Sequence, residues 1–379
     1  MSDYLQINGC RAQQPTPETT RLPVFLIIIS LRDYMELIRK PLALVLALLL
    51  SPVCVNATTL LNYTDHEPLG GTRTRFINDV FFPAIEKESQ GRLKINAHWG
   101  SERATGYNAL SVISEGSAAD MGTVVPEYAA KDLPLHQIFK SFPAGPTGDQ
   151  QIAFFRRVYA EIPAFPAELH HENVVNIFFG TGYPVAFFST HPLKNLQDIR
   201  GTTWRSASFW HQDFLRNAGA KPVTMPWGPE TVKAFQTGAL DGIMVNVDSG
   251  YDLKIQKMAP EVLVSRELWL GHVYLLVMNE KVWNGLAKAD QDAIHRAAET
   301  AYKTAGQVMD KGYINQLDGL RKDGANVREL QHSEVEHWQT VSRYPEIQAA
   351  WAKEQTAAGV TQAAPVLEKV RAILADEMK

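Results

Sequence analysis

Short apolar strands alternate with amphipathic helices from residue 60 to residue 246, and that alternation leaves few folds open to the chain. Leu93, Ile95 and Ala97 alternate with Lys94, Asn96 and His98, the two-residue period of a half-buried strand. Just upstream, Phe76, Val80, Ala84 and Ile85 form one stripe of a helix over 72–89, and Gly91 stands where a terminating glycine belongs. Further strands are expected over 60–64, 121–125, 174–179, 185–189, 202–205 and 243–246, with helices over 107–114, 150–161, 210–218 and 230–237. The Pro- and Gly-rich stretch 126–148 reads as loop. The extended run 269–279 would return the chain to the first series. From 289 to 322, Ile294, Ala298, Ala301, Ala305 and Met309 hold helical period. Such a helix is about 50 Å long, more than one domain spans. The pattern predicts an α/β fold with parallel sheets and a long helix laid across two domains.

A length of 379 residues fits two domains, and 45% hydrophobic against 21% charged residues excludes wholesale disorder. With 37 basic and 41 acidic residues the net charge is −4, so no basic excess exists to neutralise nucleic-acid phosphates. A small anion needs only one or two placed cations and stays open.

The first 57 residues differ from the rest. Met35, Arg39 and Lys40 make a short charged start, Leu42 to Leu50 run apolar without a break, and Val55 and Ala57 stand at −3 and −1 of a cut after Ala57. That is the layout of a secretory signal. Nine residues span about 14 Å as helix, against about 30 Å for a bilayer core. Translation is expected to begin at Met35, leaving 1–34 as an upstream extension. A single membrane anchor over 24–50 is interrupted by Arg32, Asp33, Glu36, Arg39 and Lys40. A lipoprotein signal at Cys54 lacks the leucine that Ser51 replaces. Both cysteines, Cys10 and Cys54, fall in this segment, so the expected mature chain has no disulfide and no thiolate. An exported, cysteine-free, acidic chain fits the bacterial periplasm.

Common catalytic signatures are missing. The chain has neither a G-x-S-x-G elbow nor a Walker loop, and Gly180-Thr181-Gly182 runs into Pro184 where a dinucleotide site needs a helix. His170, His171 and Glu172 lack the zincin spacing, and adjacent Asp65, His66 and Glu67 would rarely face one ion. No catalytic residue, metal or cofactor is expected.

Four ordered segments carry a resemblance. They are 82–95, with Ser89 and Gly91 ending a helix before a strand; 116–122, with Asp120 and Gly122; 196–205, with Gly201 and Arg205; and 219–242, with Pro222, Pro226, Glu230, Asp241 and Gly242. In these the chain resembles the solute-binding subunits of TRAP (tripartite ATP-independent periplasmic) transporters, of the dicarboxylate-binding-protein type. The resemblance implies two lobes: lobe I from 58–181 and 272–310, lobe II from 182–271 and 311–345, followed by C-terminal helices over 346–379. It implies a ligand cleft closed by lobe movement, and delivery of a small organic anion to the small and large membrane subunits of a Na⁺-driven transporter by a monomeric protein. A periplasmic enzyme or a ligand sensor on the same fold is the alternative.

The carboxylate-binding arginine of the resemblance falls on Arg205, whose planar fork suits a carboxylate and stays charged in a closed cleft. An amide falls on Asn246 and a stacking aromatic on Trp227. His66, Glu67, Glu127 and Tyr128 follow strand ends, where α/β clefts form; Tyr183 and Asp248 complete the candidate set. The chain departs from the family in lacking a cation over 183–189 and in placing Asp248 after Asn246. These departures predict a monoanion with an apolar or aromatic part, or a zwitterion whose ammonium meets Asp248 or Glu67.

Overall fold

The computed structural model describes residues 58–379 apart from Pro226 and Leu270. The expected leader and its cleavage point lie outside the described residues. Strands are numbered β1 to β11 along the chain: β1 (Thr59–Thr64), β2 (Leu93–His98), β3 (Met121–Val124), β4 (Val174–Thr181), β5 (Val185–Ser189), β6 (Thr203–Arg205), β7 (Lys221–Val223), β8 (Gly242–Asn246), β9 (Glu261–Val264), β10 (Val273–Asn279) and β11 (Asn326–Glu329). They form two sheets, in the orders β2-β1-β3-β10-β4 and β11-β9-β5-β8-β6-β7. Within each sheet the strand-helix series pairs in parallel, β1 with β2 and β3, β6 with β7 and β8. The α/β class and two-lobed architecture expected from the sequence are thus present.

β10 lies antiparallel between β3 and β4, and all seven of its residues are buried. That explains its unbroken apolar run, since a strand covered on both faces loses the alternation seen in β2. Two crossings join the lobes, β4 to β5 through Gly182, Tyr183 and Pro184, and β9 to β10 through 265–272. They run side by side, with Gly182 N donating to His272 O (3.1 Å) and Val185 N to Leu268 O (3.1 Å).

The long helix is Lys288–Lys322, 35 residues. Its first half packs Ile294, Ala297 and Ala301 with Phe81, Ile85 and Phe178 of the first lobe. Its second half packs Met309, Leu317 and Leu320 with Phe188, Ile243 and Val262 of the second. One rod therefore contributes to both cores. The helix Tyr344–Ala357 then sets Trp351 against Trp210 (centroids 5.4 Å apart), and Ala363–Glu377 returns to the first lobe, where Asp376 and Glu377 meet Arg157 (2.7 and 3.1 Å).

The stretch 126–148 is less irregular than its composition suggests. It holds two 3₁₀ segments, Pro126–Ala129 and Leu135–Ser141, the second buried throughout. The prolines and glycines shape a packed wall there.

Candidate ligand-binding site

Between the carboxyl ends of β1 and β3 on one side and of β6 and β8 on the other lies a cavity of about 670 Å³. Such crevices form because parallel strands end together and their following loops diverge.

Arg205 ends β6, paired with Val223 of β7 and Ile243 of β8. The sequence fixes this position through Asp241 and Gly242. Asp241 accepts from Thr203 N (2.7 Å) and donates its own N–H to Thr203 O (2.9 Å). A Cβ on Gly242 would lie 2.5 Å from the Trp204 ring, so only glycine lets β6 and β8 close. Arg205 is 3% exposed; its Nε and Nη2 donate to Met225 O (3.2 and 3.0 Å), and its Cζ stands 5.2 Å from the Trp227 ring centroid. Among the described residues it has no ion pair and its Nη1 has no hydrogen bond. Burial lowers its pKa from the ordinary value, opposed by the charges of Tyr128 and Glu127.

Lys140 and Glu127 face the cavity beside it and pair with each other at less than a tenth side-chain exposure. Burial lowers the Lys140 pKa, and Arg205 adds to that effect. Its Nζ lies 3.5 Å from His272 Nδ1. Burial, then Lys140, pushes His272 well below its usual pKa and His211 down to about 3, so both imidazoles are neutral.

A second group of charged side chains lines the same cavity. Arg73 forks onto Asp65 (2.8 and 3.0 Å), reaches Glu67 (2.8 Å) and lies 4.1 Å from the Tyr274 ring centroid. Burial pushes Asp65 up, but the charge and hydrogen bonds of Arg73 outweigh it and hold the carboxyl at about 2. Asp248 accepts from Ser249 N (2.8 Å) and from the Asn246 amide, both on Oδ1. Burial, then the charge of Glu67, pushes it up to about 7; Asp252 is raised for the same two reasons.

Of the candidate residues, His66, Glu67, Glu127, Tyr128, Arg205, Trp227, Asn246 and Asp248 line this cavity. Tyr183 does not. It is 3% exposed and lies where a Cβ on Gly312 would come 1.9 Å from its hydroxyl, so the crossing between lobes turns it onto the long helix. Sequence reasoning missed Arg73, Lys140, His211, His272 and Tyr274. Arg73 and His211 sit inside helical periods and Lys140 in the supposed loop. His272 and Tyr274 lie on the returning strand, where pattern alone gives no hint of a cleft.

The profile of the bacterial extracellular solute-binding proteins, family 7 (DctP), matches residues 77–353. The chain belongs to this family. A curated solute-binding protein of Albidiferax ferrireducens is 24% identical over 285 residues, 73% of this chain and 83% of that protein. Among solved structures, a TRAP solute-binding protein from Rhodoferax ferrireducens in complex with copurified benzoate superposes with a TM-score of 0.72 at 16% identity, over 85% of this chain and 99% of that one. A Bordetella pertussis extracytoplasmic solute receptor binding pyroglutamic acid gives 0.69 at 19% identity, over 83% and 99%. A marine metagenome TRAP protein specific for aromatic acids, with 3-hydroxybenzoate, gives 0.73 at 17%, over 85% and 100%. The resemblance drawn from the four segments is thereby borne out as family 7 membership. Among the described residues, no helix is long and apolar enough to cross a membrane, and no group of three metal-ligating side chains converges.

Proposed function

We propose that the protein captures a small organic carboxylate in the periplasm, closes its lobes over it, and hands it unchanged to the membrane subunits of a Na⁺-coupled TRAP transporter. The observation that carries this reading is Arg205: a buried guanidinium, facing a cavity, with no acidic partner among the described residues. An uncompensated buried charge is costly, and a ligand carboxylate would relieve it. The ligands named with the family's solved structures, benzoate, 3-hydroxybenzoate and pyroglutamic acid, each carry one carboxylate. Asn246 and Trp227 would orient the ligand from the same lobe, and His66, Glu67, Glu127 and Tyr128 would meet it from the other.

A thermal-shift screen of aromatic, 2-oxo and 2-hydroxy monocarboxylates finds the ligand, because a molecule that binds only the folded state raises Tm. Calorimetry on Arg205→Ala should then show a loss of about 3 kcal/mol or more, over a hundredfold in Kd. Unchanged affinity in that variant overturns the assignment. Recovery of intact ligand after prolonged incubation with the protein separates binding from catalysis.

A further inference from the structure

The cavity is electrically lopsided. Its wall carries the cations Arg73, Lys140 and Arg205 and the carboxylates Glu67, Glu127, Asp248 and Asp252, with Asp65 directly beneath. Subtracting existing pairs leaves two unmatched ends. At one, Lys140 is matched by Glu127 and Arg205 is left over. At the other, Arg73 is already shared between Asp65 and Glu67, His66 lies 3.6 and 3.8 Å from the same two carboxylates, and among the described residues no cation pairs with Asp248 or Asp252. No ion pair links the two sets: Lys140 pairs with Glu127, and Arg73 with Asp65 and Glu67. Asp248 also keeps an oxygen for a ligand, since its two protein hydrogen bonds both fall on Oδ1.

A dicarboxylate would put its second charge against this acidic end, where like charges repel. A plain monocarboxylate would leave the acidic end unanswered. A cation there would pair with carboxylates that are short of one. We infer that the preferred ligand is a zwitterion whose ammonium is separated from its carboxylate by several bonds, the carboxylate on Arg205 and the ammonium between Glu67 and Asp248. This rests on the carboxylate-binding reading above and adds the chemistry of the ligand's far end.

The test uses matched probes on the purified chain: 6-aminohexanoate against hexanoate and 6-hydroxyhexanoate, 4-(aminomethyl)benzoate against 4-methylbenzoate, and adipate as the dicarboxylate. Calorimetry should show the amino member of at least one series binding tenfold or more tighter than its uncharged partners, with adipate weakest. In Asp248→Asn, and independently in Glu67→Gln, that preference should fall to threefold or less. Binding of the uncharged acids as tight as their amino partners, or tightest binding of adipate, overturns the inference while leaving a carboxylate-binding site in place. A preference that survives both substitutions also overturns it, because the ammonium then lies elsewhere. Failure of every probe together with unchanged affinity of Arg205→Ala for any acid found in the wider screen would sink the underlying reading as well.

Discussion

Asp248 and Arg73, both lining the cavity, are held under opposite electrostatic loads. A carboxyl whose folded pKa is raised above its unfolded value loses the folded protein stability as pH climbs between the two. For Asp248 that window runs from the ordinary 3.8 up to about 7. The groups facing it are Glu67, Asp252 and Arg73, two of them like charges. Asp248→Asn should therefore raise Tm at about pH 8, by an amount equivalent to roughly 1–3 kcal/mol, and the gain should vanish as pH falls towards about 4. Melting curves across that range check it; a gain that grows on acidification would have the wrong sign. Arg73 is the reverse case. Arg73→Met strands Asp65, fully buried on the side-chain scale, without its bidentate partner. A loss of about 3–5 kcal/mol in chemical denaturation near neutral pH is expected, and a loss under about 1 kcal/mol would mean that the Tyr63 hydroxyl and the Glu67 N–H suffice to hold the carboxyl. Glu67 was legible in the sequence because it follows a strand that pattern alone locates, whereas Arg205 and Asn246 came from the family resemblance. Arg73 was not legible, because a helical stripe says which residues turn inward and nothing about which strand end they then face.

The crossing between the lobes is an element whose role the sequence hid. Gly182, Tyr183 and Pro184 read as a loop between two strands, and Tyr183 stands among the candidate ligand residues. In the structure the short β4-to-β5 connection leaves no slack, and the tyrosine is laid against the long helix. Gly312 makes the room: a Cβ there would sit 1.9 Å from the Tyr183 hydroxyl and 3.0 Å from Thr72 Oγ1. Gly312→Ala is a good helix substitution in isolation, yet the overpacking should cost roughly 2–3 kcal/mol. Adding Tyr183→Ala should recover much of the loss, so that the double variant is more stable than the two single effects predict by about 1 kcal/mol or more. Strict additivity in a double-mutant cycle would show that the contact does not matter. The short strands β9 and β11, of four residues each, escaped sequence detection for a related reason. They are edge and near-edge pieces too brief to establish a period, defined by the neighbours they pair with.

At the scale of the whole molecule, the long helix and the two crossings impose different constraints. Residues 294–305 of the helix belong to one core and 309–320 to the other, so the rod ties the lobes together along one side. The sequence disclosed this much, because 34 residues of unbroken period cannot fit one small lobe. The cavity lies where Glu127, Tyr128 and Lys140 of lobe I face Arg205, Trp227 and Asp248 of lobe II. A ligand that touches both sets favours whichever arrangement brings them together, and it can shift the equilibrium only by its differential affinity for that arrangement. To move a population from mostly separated to mostly closed lobes takes about 5.5 kcal/mol of such preference. The Arg205 carboxylate contact could supply about 3 kcal/mol, with contacts from lobe I supplying the remainder. Small-angle scattering should then show the radius of gyration fall on adding saturating ligand to the wild-type chain. Tyr128→Ala, which removes a lobe I contact and leaves the guanidinium in place, should weaken both affinity and compaction. If ligand saturates the protein and raises its Tm while the scattering curve stays unchanged, binding occurs without lobe movement, and the population-shift mechanism is wrong even though the site is right.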